Sequence, residues 1–115
     1  MKLIRTAAAA QPAAVDGWDH IWYTTDSAHG GTLFVNEHGD DVIVCDTARD
    51  GMSVRALLTW GTEGEKLTTI GGYGNCTEAR ATYGEDIPEH TTVYVSLWLG
   101  KNYAYEKDTW FVNDH

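Results

Sequence analysis

From Asp16 to the C-terminus no window of the chain repeats apolar residues at helical spacing for three turns. Short runs rich in Val, Ile, Thr, Tyr and Trp recur instead between clusters of Gly, Asp and Asn. Successive strand side chains point to opposite faces, and β-branched and aromatic residues fit the pleated surface between them. The pattern therefore confines the chain to an all-β fold. Candidate strands cover residues 19–25, 32–36, 41–46, 53–60, 66–71, 77–83, 91–99 and 103–112. The intervening "NEHGD", "TARDG", "GTEGE", "GGYGN", "GEDIPEH" and "GKN" supply turn chemistry. About eight short strands at this spacing predict a single-domain antiparallel β-sandwich, or a flattened barrel, over residues 16–115. A chain of 115 residues buries one modest core, which agrees with one domain.

The run "DVIVCD" (41–46) puts Ile43 and Cys45 on one face and Val42 and Val44 on the other. A strand apolar on both faces belongs in the middle of a sheet. "TARDG" then leads into "MSVRALLTW", where Val54, Ala56, Leu58 and Trp60 share a face, so these two strands are expected to form a hairpin. The only other cysteine is Cys76. In a small exported β protein two cysteines pair, and closing a loop of about thirty residues contributes roughly 3 to 4 kcal/mol by chain entropy. A Cys45–Cys76 disulfide is the expectation; two reduced, buried thiols in a cytosolic chain are the competing reading. If Cys76 faced the core, alternation would bring Glu78 and Arg80 inward with it. The phase that buries Ala79, Ala81 and Tyr83 instead places Cys76 before the regular strand or at a bulge near Gly74.

The N-terminal "MKLIRTAAAAQPAAVDG" has Lys2 and Arg5, then four alanines, and an apolar stretch too short for a working signal core. Residues 1–15 read as the remnant of an export signal or as a flexible arm, and the localisation expected is secreted, extracellular. Seventeen acidic against eight basic residues give a formal charge of −9. That balance repels phosphate backbones and anionic lipid, so neither nucleic acid nor a membrane is an expected partner.

Catalytic and metal signals are weak. Asp40, Asp41, Asp46 and Asp50 cluster around the first cysteine, but Asp and Gly build hairpin turns, and their spacing fits no calcium loop. The five histidines show no paired ligand spacing, so no metal and no cofactor is expected. "HGGT" at 29–32 has the look of an oxyanion loop without the G-x-S-x-G elbow that would accompany it, and "GGYGN" lacks the Lys-Ser/Thr of a phosphate loop. The chain reads as a non-enzyme.

The aromatics say more. Five Trp and six Tyr exceed what one small core needs. In "TTVYVSLWL" one face carries Val93, Val95, Leu97 and Leu99, and the other Tyr94, Ser96 and Trp98. A two-residue loop at Lys101–Asn102 would set Trp98 opposite Tyr105 and Ser96 opposite Lys107, whereas a three-residue loop flips that register. Tyr94, Trp98 and Tyr105, with Val15 and Trp18 from the arm, are the candidate partner-binding residues, because Tyr and Trp with a polar rim are common interface anchors.

The stretch "GDDVIVCDTARDGMSV" and the later "GNCTEARATYGEDIPEHTTVYVSL" together resemble a large group of small secreted actinomycete proteins. These share a V-C-D-x-x-x-D-G-x-x-V hairpin, a downstream Gly-x-Cys and an I-x-E-x-x-x-V strand entry, here Ile87, Glu89 and Val93. The likeness covers about residues 31–99. Within the group it is the small adaptor subunit of umbrella toxin particles that suggests a role. The resemblance implies a β-sandwich without catalysis that bridges a lectin-bearing subunit to a repeat-built stalk, with an N-terminal extension, here "AAAAQPAAVDGWDH", docking in a partner's cleft. One departure is the lack of the second cysteine pair that many of the group carry near the C-terminus. The function expected is thus a secreted protein-interaction module, with an inhibitor of a secreted hydrolase or a small glycan-binding module as the alternatives.

Overall fold

A computed structural model describes residues 6–10, 18–36, 41–48, 51–69, 73–79 and 90–113, with the backbone alone described at 6–10, 63, 65 and 79. Among the described residues nine strands run β1 (Thr6–Ala10), β2 (His20–Tyr23), β3 (Gly31–Asn36), β4 (Asp41–Asp46), β5 (Val54–Trp60), β6 (Glu63–Thr68), β7 (Asn75–Ala79), β8 (Thr91–Leu99) and β9 (Ala104–Asn113). They form a five-stranded sheet, order β1-β7-β4-β3-β2, and a four-stranded sheet, order β6-β5-β8-β9. Every pairing is antiparallel. The fold is the all-β sandwich expected from the sequence, open rather than a closed barrel, with one strand more than the eight anticipated. Among the described residues there is no helix long and apolar enough to cross a membrane.

The core lies between the sheets. Leu33, Val35, Val42 and Val44 of the larger sheet meet Val54, Ala56, Leu58, Trp60, Val93, Val95, Leu97, Leu99 and Phe111 of the smaller one, all buried. At Gly31 the larger sheet packs tightly on Val54 of the smaller one: a Cβ there would fall 2.5 Å from Val54 Cγ1 and 3.0 Å from Thr24 Cγ2. Only glycine fits that crossing without displacing a valine from the core.

Strand β4 is central, as its two apolar faces require: it pairs with β3 on one side and β7 on the other. The expected hairpin between β4 and β5 does not form. Both edges of β4 are already paired, so between Asp46 and Val54 the chain changes sheets, and β5 pairs with β6 and β8. Gly51, at φ 74°, serves that crossing as it would have served a hairpin. Strand β6 begins three residues earlier than expected, because Gly61 at φ 58° closes a two-residue turn between Trp60 and Glu63. Glycine with positive φ at the first central position is what a type II′ turn needs.

The cysteine phase also differs from expectation. Cys76 is the second residue of β7 and lies in regular register opposite Cys45, with Cα atoms 4.1 Å apart and the two sulfurs bonded. Alternation does carry Glu78 with it, and Glu78 is buried. The reason is that this face is not the main core. Cys45, Cys76, Phe34 and Ile43 form a second apolar cluster on the outer face of the five-stranded sheet, packed against Trp18 and Ile21. Ala81 and Tyr83, expected to be buried, lie outside the described residues.

The segment expected to be a loose arm contributes β1, which pairs with β7 from Thr6↔Ala79 to Ala10↔Asn75. An edge strand is held by backbone hydrogen bonds to one neighbour, so it needs no alternating apolar pattern, and the alanine run meets that requirement. Residues 1–5 and 11–15 lie outside the described residues.

Candidate functional site

The two outer faces of the sandwich differ. That of the larger sheet holds the disulfide cluster; that of the smaller sheet carries aromatic rings in solvent. On β8 the inward residues Val93, Val95, Leu97 and Leu99 are buried, and alternation sends Tyr94 and Ser96 outward. On β9 Phe111 and Asn113 point in, while Trp110 and Val112 point out. The register sets Tyr94 against Trp110 and Thr92 against Val112. Tyr94 and Trp110 each keep 60% of their surface exposed, and with Thr92 they line a shallow groove of about 250 Å³. On its other side Tyr94 faces Thr59, whose own partner is Gly64, so small groups flank the ring.

Two residues further along, the face changes from aromatic to polar, with a hydroxyl on β8 and a carboxylate on β9. Ser96 pairs with Asp108, and its hydroxyl donates to Asp108 Oδ1 at 2.8 Å. Glu106 shares this cluster. Its carboxyl titrates above the ordinary glutamate value, because it is partly desolvated against the sheet and because Asp108 both hydrogen-bonds to it and repels its charge; Ser96 pulls in the opposite direction.

At the turn end the backbone is strained. Gly100 (φ 69°) opens the connection, and Tyr103 and Tyr105 follow at φ 55° and 53°. The left-handed region is costly for a bulky aromatic, about 1–3 kcal/mol each, and such outliers cluster at functional sites. Leu99↔Ala104 is the pairing of the two-residue register, but a bulge between Leu97 and Leu99 shifts the ladder by one, so Ser96 meets Asp108 and Lys107 falls opposite Leu97. The carbonyl of Tyr105 accepts from the amide of Thr25 at 3.0 Å, which ties the bulge to the loop after β2.

The sequence-based candidates therefore separate. Tyr94 and Tyr105 (53% exposed) lie at the surface as expected. Trp98 does not: it is 1% exposed, with the Tyr103 ring lying over it at 4.5 Å. The irregular turn folds Tyr103 back onto a ring that strict alternation would have left in solvent. Trp18 belongs to the opposite side of the sandwich, half-buried against Phe34 with ring centroids 5.5 Å apart. Val15 lies outside the described residues. Trp110 was missed. Its signal was the alternation of Trp110 and Val112 against Phe111, which could be phased only once the bulge was known.

A second polar constellation occupies the loop after β2. Asp26 accepts from the Thr24 hydroxyl and from the Gly30 amide at 2.9 Å, while the Gly31 amide donates to Thr24 Oγ1 at 3.0 Å. Burial alone would raise the Asp26 pKa. The hydrogen bonds from Thr24, from Gly30 and from its own amide, with the charge of His29, together hold it below the ordinary aspartate value. Both glycine amides of "HGGT" are thus committed to internal acceptors, and the segment is a braced turn rather than an open oxyanion cradle. Asp46 likewise serves a turn: its carboxylate accepts from the Ala48 amide. Asp40 and Asp50 lie outside the described residues, and among those described no three His, Cys, Asp or Glu side chains converge to hold a metal ion.

Comparison with protein-family models, curated proteins and solved structures gives no match for this chain. The all-β sandwich, its disulfide and the aromatic outer face are what define it.

Proposed function

We propose that the protein is a secreted, non-catalytic interaction module that docks a protein partner on the outer face of its four-stranded sheet. The observation that supports this reading is the cross-strand pair of Tyr94 and Trp110, two large rings held in solvent with Thr92 and Val112 beside them. Exposed apolar patches with a polar rim mark interaction sites, and Tyr and Trp are frequent anchors in them. A cross-strand disulfide is compatible with an oxidising, extracellular setting. In its finer form the role is that of an adaptor subunit of a secreted antibacterial toxin complex, the branch suggested by the sequence resemblance. The N-terminal extension is the weaker candidate for docking in this chain: Thr6–Ala10 is paired to β7, and Trp18 packs on Phe34, so both segments already serve their own sheet.

The test is capture of partners from culture supernatant of the source organism by immobilised wild-type protein, by Trp110→Ala and by Tyr73→Ala, the last an exposed tyrosine elsewhere. Loss of the captured protein with Trp110→Ala alone supports the reading; equal capture by all three overturns it. A glycan-binding role is the second reading, since paired aromatic rings also stack on sugars.

A further inference from the structure

Resting on that reading, we infer that the partner presents a cationic side chain, arginine foremost, that lies over the Tyr94–Trp110 rings and reaches Asp108 and Glu106. Aromatic ring faces carry negative potential and attract guanidinium groups within about 6 Å of the centroid. The Asp108 carboxylate lies about 7 Å further along β9, two residues at the strand rise, and Glu106 is two residues beyond it. An arginine whose aliphatic stem or guanidinium covers the rings can place its N–H fork on a carboxylate at that reach.

Charge makes the same choice. Glu106 and Asp108 are neighbours of like sign two residues apart on β9, and beside desolvation and the Asp108 hydrogen bond the repulsion between them adds to the raised Glu106 pKa. The row of Asp108 across the sheet reads Asp108, Ser96, Leu57, Lys66, so its lysine sits three strand spacings away, about 14 Å. In the adjoining row Arg55 lies opposite Trp98, two strand spacings from β9, about 10 Å, with its Nε donating to Ser53 Oγ. Beyond a Debye length of about 8–10 Å an exposed charge is largely screened. Lys107, between the two acids in sequence, pairs with Leu97 on the inward side of the bulged ladder. A docked cation relieves the repulsion that Lys66, Lys107 and Arg55 do not. A second copy of the chain is a poor occupant, because its charge of −9 would meet an equal one. A neutral sugar would gain from the rings but nothing from the paired charge.

The probe is a blocked hexapeptide of alternating glycine and arginine, titrated into ¹⁵N-labelled full-length protein and followed by amide and indole resonances. Shifts should map to the Trp110 indole and to residues 94–96 and 106–110. The apparent Kd should weaken at least threefold between 20 and 300 mM NaCl. It should weaken tenfold or more in Trp110→Ala and in the double variant Glu106→Gln/Asp108→Asn, with Tyr73→Ala as wild type. Both variants sit on a solvent face, and retained amide dispersion checks their fold. Peptide shifts that map elsewhere or are absent overturn the inference. So does salt-independent binding of glucose or N-acetylglucosamine hexasaccharides to the same rings, which would make the face a glycan site. Loss of supernatant capture in Trp110→Ala combined with no peptide binding would overturn the cationic partner while leaving the docking face intact.

Discussion

Replacing both cysteines by alanine should lower the stability of this sandwich without changing its fold. The bond joins residues 31 apart in sequence, and the chain-entropy relation for a closed loop of that length gives about 3.7 kcal/mol at 25 °C. An unfolding entropy of roughly 2.1 cal/mol/K per residue gives about 0.24 kcal/mol/K for 115 residues, so the melting temperature should fall by about 15 °C. Both sulfurs sit in the Phe34–Ile43 cluster under Trp18 and Ile21, and their loss adds about 1 kcal/mol of packing. The cross-strand register is secured by β3 and β7 on either side of β4, so the amide spectrum should keep its strand pattern. Scanning calorimetry of wild type and Cys45→Ala/Cys76→Ala provides the measurement, with thiol labelling of the unreduced, denatured wild type alongside. A fall smaller than about 4 °C, or two reactive thiols in the wild type, would show that the Cys45–Cys76 bond does not stabilise the sandwich in this way.

Gly31→Ala should cost at least about 2 kcal/mol in urea denaturation, because its Cβ would enter the Val54 side chain. Tyr105→Gly should raise stability by about 1 kcal/mol by relieving the left-handed backbone; an unchanged or lowered midpoint would show that the exposed ring stabilises more than the strain costs. Asp26 has a folded pKa below its unfolded value, so its contribution is fully present above about pH 3.9 and is lost as pH falls through the folded value. Asp26→Asn should therefore cost about 1 kcal/mol at pH 7, and the gap from wild type should close as pH falls through the folded value; a gap independent of pH would contradict the assignment.

Much of the fold was legible because the strands announce themselves locally. "DVIVCD" is apolar on both faces and is the central strand; "TTVYVSLWL" alternates and is half-buried. What local pattern could not give was the choice of neighbour. "TARDG" reads the same whether it closes a hairpin or carries the chain between sheets, and only the saturation of both edges of β4 decides. Phase was lost where the ladder is irregular. The bulge after Leu97 moved Ser96 from Lys107 to Asp108, and the turn folded Tyr103 over Trp98. Cys76 and Glu78 were misread for a different reason: a second apolar cluster on the far face of a sheet leaves no periodic signature when cover comes from distant residues such as Trp18. Half of the candidate face, Tyr94, followed from alternation alone. Its partner Trp110 needed the register.

The claim that function resides on the outer face of the four-stranded sheet is tested most directly by quantitative capture. Wild type, Tyr94→Ala/Trp110→Ala and a chain lacking residues 1–15 would be immobilised at equal density and exposed to the same culture supernatant, with the bound partner measured by mass spectrometry. The platform variant should lose the partner more than tenfold, while the truncated chain, which lacks the edge strand β1 and is checked by its amide spectrum for the other strands, retains it. Full capture by the platform variant together with loss in the truncated chain would contradict this claim, and would place the docking element in the N-terminal segment.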